Sequence, residues 1–125
     1  MQGDFPEFTQ RKLILPQKLA SFSDEVRKQG KRLATLNGSF DLLHAGHLHI
    51  IYEASKQADV LLVALNSDDS IKRYKCQKRP IIGLRDRLQM MSALSFVSNI
   101  TWFEEDELDK FREFLDQVKP EDFNL

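Results

Sequence analysis

Six consecutive apolar residues, Val60-Leu61-Leu62-Val63-Ala64-Leu65, set the strongest constraint on what this chain can fold into. A strand with one wet face alternates polar and apolar residues, whereas a strand apolar at every position has to be covered on both faces. A parallel sheet flanked by crossover helices meets that condition, so the run predicts a central parallel strand. A second run, Leu33-Ala34-Thr35-Leu36, stops at Asn37-Gly38 and reads as its neighbour.

Helical spacing fills the intervals. Residues 45–58 place Leu48, Ile51, Tyr52 and Ala58 on one stripe, which completes a strand–helix–strand unit. Upstream, residues 17–29 carry Leu19, Phe22 and Val26 with Gly30 as a C-terminal cap. Downstream, Leu84, Leu88 and Met91 predict a helix over 85–95, and a strand follows near 99–103. Leu108, Phe111, Leu115 and Val118 predict a last helix that ends before Pro120. Residues 67–83 are polar and basic and read as a loop. Residues 1–16 contain two prolines without a sustained period and read as an irregular or partly ordered arm. The expectation is an α/β three-layer sandwich, a mostly parallel sheet with helices on both faces, formed by one domain over 17–125.

Composition bounds the rest. A chain of 125 residues, 42% hydrophobic, suits one domain. Its net charge of -1 gives no general attraction for nucleic acid or for an anionic membrane, so neither is expected as a partner. The longest apolar run is six residues, against about 20 for a bilayer span. A single cysteine, Cys76, and a start without a signal-peptide pattern point to the cytoplasm.

Chemistry concentrates after the first strand, where all three histidines, His44, His47 and His49, fall within six residues. Residues two apart point about 200° away from each other on a helix, so His47 and His49 do not share a ligand face and no metal site is expected. His44 and His47, three apart, can face one ligand. The string Asn37-Gly38-Ser39-Phe40-Asp41-Leu42-Leu43-His44-Ala45-Gly46-His47 puts a strand end, a glycine turn and both imidazoles at the start of a helix. Helix N-termini offer backbone N–H groups and partial positive charge, Gly46 would let an anion approach the backbone, and imidazoles can stabilise charge that grows on a phosphoryl group.

That string resembles the H-x-G-H signature of the nucleotidyltransferase superfamily, whose fold is Rossmann-like. Further blocks, Gln29-Gly30-Lys31-Arg32, Ala64-Leu65-Asn66-Ser67-Asp68, Lys72, Lys75, Arg79-Pro80, Arg87 and Phe103-Glu104-Glu105-Asp106, are similar to the adenylyltransferase domain of ADP-heptose synthesis. The resemblance implies an ATP-dependent adenylyltransferase acting on a sugar 1-phosphate, with Mg²⁺ accompanying the nucleotide and a homodimer as a common assembly. It assigns catalysis to His44, His47 and Lys75. Nucleotide binding falls on Asn37, Gly38, Ser39, Phe40, Asp41, His44, Gly46, His47, Asn66, Asp68 and Arg87, and substrate phosphate on Lys72, Lys75 and Arg79.

Charge agrees with a phosphate site: from Lys72 to Arg87 there are seven basic residues and one acid. Asn66 and Asp68 follow the second strand, where open α/β sheets bind ligands. Two departures from the family pattern stand out, Cys76 in place of a loop glycine and Ile82-Gly83 in place of a proline-containing run. By the same comparison the domain is short at its C-terminus, ending at Leu125 before a turn that contacts the nucleotide. Two other readings stay open at this point: a CTP-dependent cytidylyltransferase acting on glycerol 3-phosphate or a phospho-alcohol, and a nucleotide-binding or interaction module without turnover.

Overall fold

The computed structural model describes residues 5–74, 78–104 and 123–124. The two apolar runs pair as expected. Strand β1 (Leu33–Gly38) lies parallel to β2 (Val60–Asn66), in register from Leu33 opposite Val60 to Gly38 opposite Leu65. Strand β3 (Asn99–Phe103) is parallel to β2 on its far side, and β4 (Phe123–Asn124) is parallel to β1, giving the order β3-β2-β1-β4.

The pleat sorts side chains between two cores. Ala34, Leu36, Leu61, Val63, Leu65 and Ile100 face helices α3 (Ala45–Ser55) and α5 (Leu84–Ser92), meeting Ile51, Ala54, Leu88 and Met91. Leu33, Leu62, Ala64 and Phe103 face the opposite layer, where α2 (Leu19–Lys28) supplies Leu19 and Val26. Both faces of β2 are therefore covered, which is what its unbroken apolar sequence requires. The fold is a Rossmann-like α/β sandwich.

Two expectations are corrected by the packing. Leu48 and Tyr52 are not part of the buried stripe of α3: both are exposed, while Ile51 and Ala54 meet the sheet. With apolar residues at four of the five positions from Leu48 to Tyr52, periodicity alone does not select the buried face. The basic segment is not all loop, since α4 (Asp68–Tyr74) forms at its start. Ser67 Oγ accepts from the Ser70 amide at 3.1 Å, and Asp68 and Asp69 occupy the first turn, the pattern of a capped helix start. The last predicted helix, around Leu108–Val118, lies outside the described residues.

The N-terminal segment also differs from an irregular arm. A helical turn, α1 (Glu7–Gln10), is followed by a stretch that pairs with β3: Ile14 N donates to Ile100 O at 2.8 Å, and Ile100 N to Lys12 O at 2.9 Å. Phe5 and Leu13 are buried in the α5-side core, and Thr9 shares a hydrogen bond of 2.9 Å with Ser92 of α5. An open strand edge has N–H and C=O groups to satisfy, and residues 12–14 satisfy those of Ile100 in β3. Leu13→Ala is expected to lower the unfolding free energy by about 2–4 kcal/mol in urea titration; an unattached arm would leave it unchanged.

Candidate active site

The site grows from the end of β1. Phe40 follows with φ +46, a left-handed backbone that non-glycine residues rarely adopt, and turns the chain toward α3. Its ring lies over Gly38: a Cβ on Gly38 would stand 3.0 Å from Phe40 Cε2. The same ring makes an edge contact with His47, centroids 5.4 Å apart and planes at 79°. His47 in turn stacks on His44 at 3.8 Å and 24°.

His44 is the N-cap of α3. Extended at φ -137 and ψ 175, it accepts the Gly46 amide on Nδ1 at 3.0 Å, a role that Ser or Asp usually fills. Because Nδ1 accepts, the proton of the neutral ring sits on Nε2, which is left to donate outward. The need for glycine at 46 is then steric. A Cβ there would lie 2.8 Å from His44 Cε1 and 3.0 Å from Nδ1, so the space over Gly46 is taken by the imidazole and not left open for an anion. His49 is exposed on α3.

Asp41 is buried and faces inward. Its carboxylate accepts the amides of Ile81 at 2.9 Å and Ile82 at 2.8 Å, and Arg79 Nη1 at 3.1 Å. Burial alone would raise its pKa, but the Ile82 and Ile81 amides and the Arg79 guanidinium outweigh burial and hold the carboxyl below its ordinary range. Asp68 does the same for the next stretch, its Oδ1 accepting Leu84 N at 2.8 Å and Arg87 Nη2 at 2.7 Å.

Arg87 is the residue whose position the sequence conceals. It is 2% exposed and ties four segments together. Nε donates to Ile82 O at 2.9 Å, Nη1 to Ser39 O and to Asn66 O at 2.8 Å each, and Nη2 to Asp68. The carbonyls of Ser39 and Asn66 follow and end the first and second strands, so one guanidinium fixes the C-terminal edge of the sheet. Asn66 is buried, with Nδ2 donating to Ser70 Oγ at 3.3 Å.

The structure thus joins Gly38, Ser39, Phe40, Asp41, His44, Gly46, His47, Asn66, Asp68, Arg79 and Arg87 in one contact network, and Asn37 is half-buried at the end of β1. Lys72 is exposed on α4, a turn beyond Asp68, outside that network. Lys75 and Cys76 lie outside the described residues. Among the described residues no group of three His, Cys, Asp or Glu side chains could hold a metal ion, and Asp41 and Asp68 are both engaged in holding the 79–84 segment. None of the described helices is long and apolar enough to cross a membrane.

A parallel sheet covered on both faces, with an H-x-G-H helix start at the end of its first strand, is the architecture of a nucleotidyltransferase. The cytidylyltransferase-like family model matches residues 35–124, and the chain belongs to that family. Its relatives narrow the class. The bifunctional protein HldE of Desulfatibacillum aliphaticivorans is 41% identical over 118 residues, 94% of this chain and 24% of that protein. The protein of the same name from Helicobacter acinonychis is 44% identical over 98 residues, 78% of this chain and 20% of that one. The chain thus spans about a quarter or less of the length of these relatives. Among solved structures, the lipopolysaccharide core biosynthesis protein from Thermoplasma volcanium GSS1 shares the fold, with a TM-score of 0.58 and 23% identity over 77% of this chain and 97% of that chain.

Two substitutions test the framework. Arg87→Lys keeps the charge but loses the fork, and is expected to destabilise the fold by about 3 kcal/mol in denaturant titration. Asp41→Asn is expected to cost about 1–3 kcal/mol at neutral pH. Because folding depresses the Asp41 pKa, the stabilisation from its charge is complete above the ordinary carboxylate pKa of about 4 and is lost as the pH falls through the lower folded value. The difference between wild type and Asp41→Asn, followed by thermal unfolding, should shrink below about pH 4.

Proposed function

We propose that this chain transfers an adenylyl group from ATP to a sugar 1-phosphate, heptose 1-phosphate first among the candidates, releasing pyrophosphate and an ADP-sugar. The observation that carries the reading is the stacked His44–His47 pair at the start of α3. Two imidazoles beside the amides of a helix N-terminus form a donor array suited to an α-phosphate whose charge rises during attack. The choice of ATP and heptose phosphate is supported by the resemblance to the ADP-heptose adenylyltransferase domain and by the HldE relatives.

The reaction is an in-line displacement. An oxygen of the sugar phosphate forms a bond to the α-phosphorus while the bond to the pyrophosphate oxygen breaks, and the electron pair leaves with pyrophosphate. His44 donates from Nε2 and His47 adds a second imidazole contact. Lys75, Lys72 and Arg79 hold the anionic groups from the basic segment. Arg87 acts through the four segments it ties, because the bonds it makes point inward. Mg²⁺ enters as part of the nucleotide substrate, held by phosphate and water oxygens, since the nearby carboxylates serve the loop.

Pyrophosphate release, measured with each nucleoside triphosphate against heptose 1-phosphate, other sugar 1-phosphates and glycerol 3-phosphate, tests the proposal. Release with ATP and heptose 1-phosphate is the expected outcome. Release with CTP and glycerol 3-phosphate alone would assign the chain to the cytidylyltransferases proper. Silence across the panel, with nucleotide binding retained in calorimetry, would make it a binding module. In the active case His47→Ala is expected to lose at least about tenfold in kcat with the fold intact by circular dichroism.

A further inference from the structure

Phe40 combines two features that its place in the chain does not require. It holds a left-handed φ of +46, where glycine or asparagine would be at ease, and its aromatic ring is packed between Gly38 and His47. Strain of this kind persists where the surrounding contacts over-determine it, and such positions cluster at functional sites. Here the contacts lead in one direction. Gly38 lacks the Cβ that would stand 3.0 Å from the ring, the ring meets His47 in a T-shaped contact, and His47 stacks on His44, which is tied to the Gly46 amide.

We propose that Phe40 is a positioning residue for the imidazole pair: its ring, carried by the left-handed turn over Gly38, sets the plane of His47 against His44. This rests on the transferase reading above, and adds to it a residue that acts on the chemistry through another side chain. The physical basis is geometric. His44 is oriented by a hydrogen bond from the helix backbone, and His47 is in ring contact with both Phe40 and His44. A T-shaped contact and a stacked contact on the same imidazole each favour particular ring planes, so the Phe40 ring restricts how His47 can meet His44. A leucine in place of Phe40 would retain apolar bulk but no ring edge. The left-handed turn is needed too, because it swings the ring back over Gly38 toward the helix start.

The test reads the ring pair directly and turnover separately. In chain labelled at histidine, the ring protons of His44 and His47 should give a strong cross-peak, since the centroids are 3.8 Å apart. Phe40→Leu is expected to weaken that cross-peak at least threefold and to lower kcat at least tenfold, with KM changed less than threefold. Phe40→Tyr, which keeps the ring, should retain the cross-peak and lose less than threefold in kcat. A full cross-peak or an unchanged kcat in Phe40→Leu, or an equal loss in Phe40→Tyr, overturns the proposal. Should Phe40→Leu fail to fold by thermal unfolding, Gly38→Ala displaces the ring from the other side and is expected to give the same two losses. A wild-type chain that releases no pyrophosphate with any substrate refutes the transferase reading, and the cross-peak still decides whether Phe40 orders the pair.

Discussion

A buried guanidinium holds the working end of this molecule together. A charge taken out of water has to be met by partners of good geometry, and Arg87 finds them in three carbonyls and one carboxylate drawn from segments far apart in sequence. Parallel strands are joined along their length by backbone ladders, but the ladder stops where the strands do, and the loops that follow have no such restraint. Arg87 supplies it at that point. By clasping Ser39 and Asn66 it keeps the turn after β1 and the end of β2 at a fixed separation, and through Ile82 and Asp68 it brings α4 and the 79–84 segment to the same place. Lysine, a point charge with three donors on a flexible stem, does not match a planar fork reaching four acceptors.

The signature residues then have divided tasks. Both glycines make room for rings: Gly38 for Phe40, Gly46 for His44. His44 closes the helix and faces outward at once, because an imidazole has two nitrogens and the backbone takes only one of them. Asp41, between the two ring-bearing turns, reaches away from them to the amides of Ile81 and Ile82. A motif of eleven residues is therefore as much a device for folding its own turn as a set of ligand contacts. This explains how small residues and aromatic residues come to alternate in it.

Much of this was legible in the sequence, and the gaps have physical causes. The unbroken apolar run of β2 announced a strand covered on both faces, and the flanking helices α2, α3 and α5 and the strand at 99–103 followed from periodicity. The orientation of α3 did not follow, because Leu48, Ile50, Ile51 and Tyr52 are all apolar and only two of the helix positions, Ile51 and Ala54, are buried. The helix α4 was hidden by its lysine and arginine, although Ser67 followed by two aspartates is a start signal that could have been read. Arg87 was recognised as a site residue but placed at the phosphates. Nothing in a sequence distinguishes an arginine that reaches out from one that turns in, since the partners are carbonyl oxygens that every residue has. Its spacing from Leu84, Leu88 and Met91, on the buried stripe of α5, was the available clue.

The proposed anion site also has to dispose of its own carboxylates. Asp41 lies three residues before His44, and Asp68 follows the end of β2, so under the proposed function two negative charges stand near the bound phosphate. Left in solvent, each would oppose an incoming phosphate across a few ångströms. Each is instead matched at close range: Asp41 by two backbone amides and Arg79, Asp68 by the Leu84 amide and Arg87. The same bonds fix the 79–84 segment, so one set of contacts both cancels the unwanted charge and places the basic segment beside the helix start. At the start of α3 stand the two stacked imidazoles, one of which caps the helix. The electrostatics of the site and the folding of its loop are thus a single arrangement, and neither aspartate can be neutralised without loosening the other function it serves.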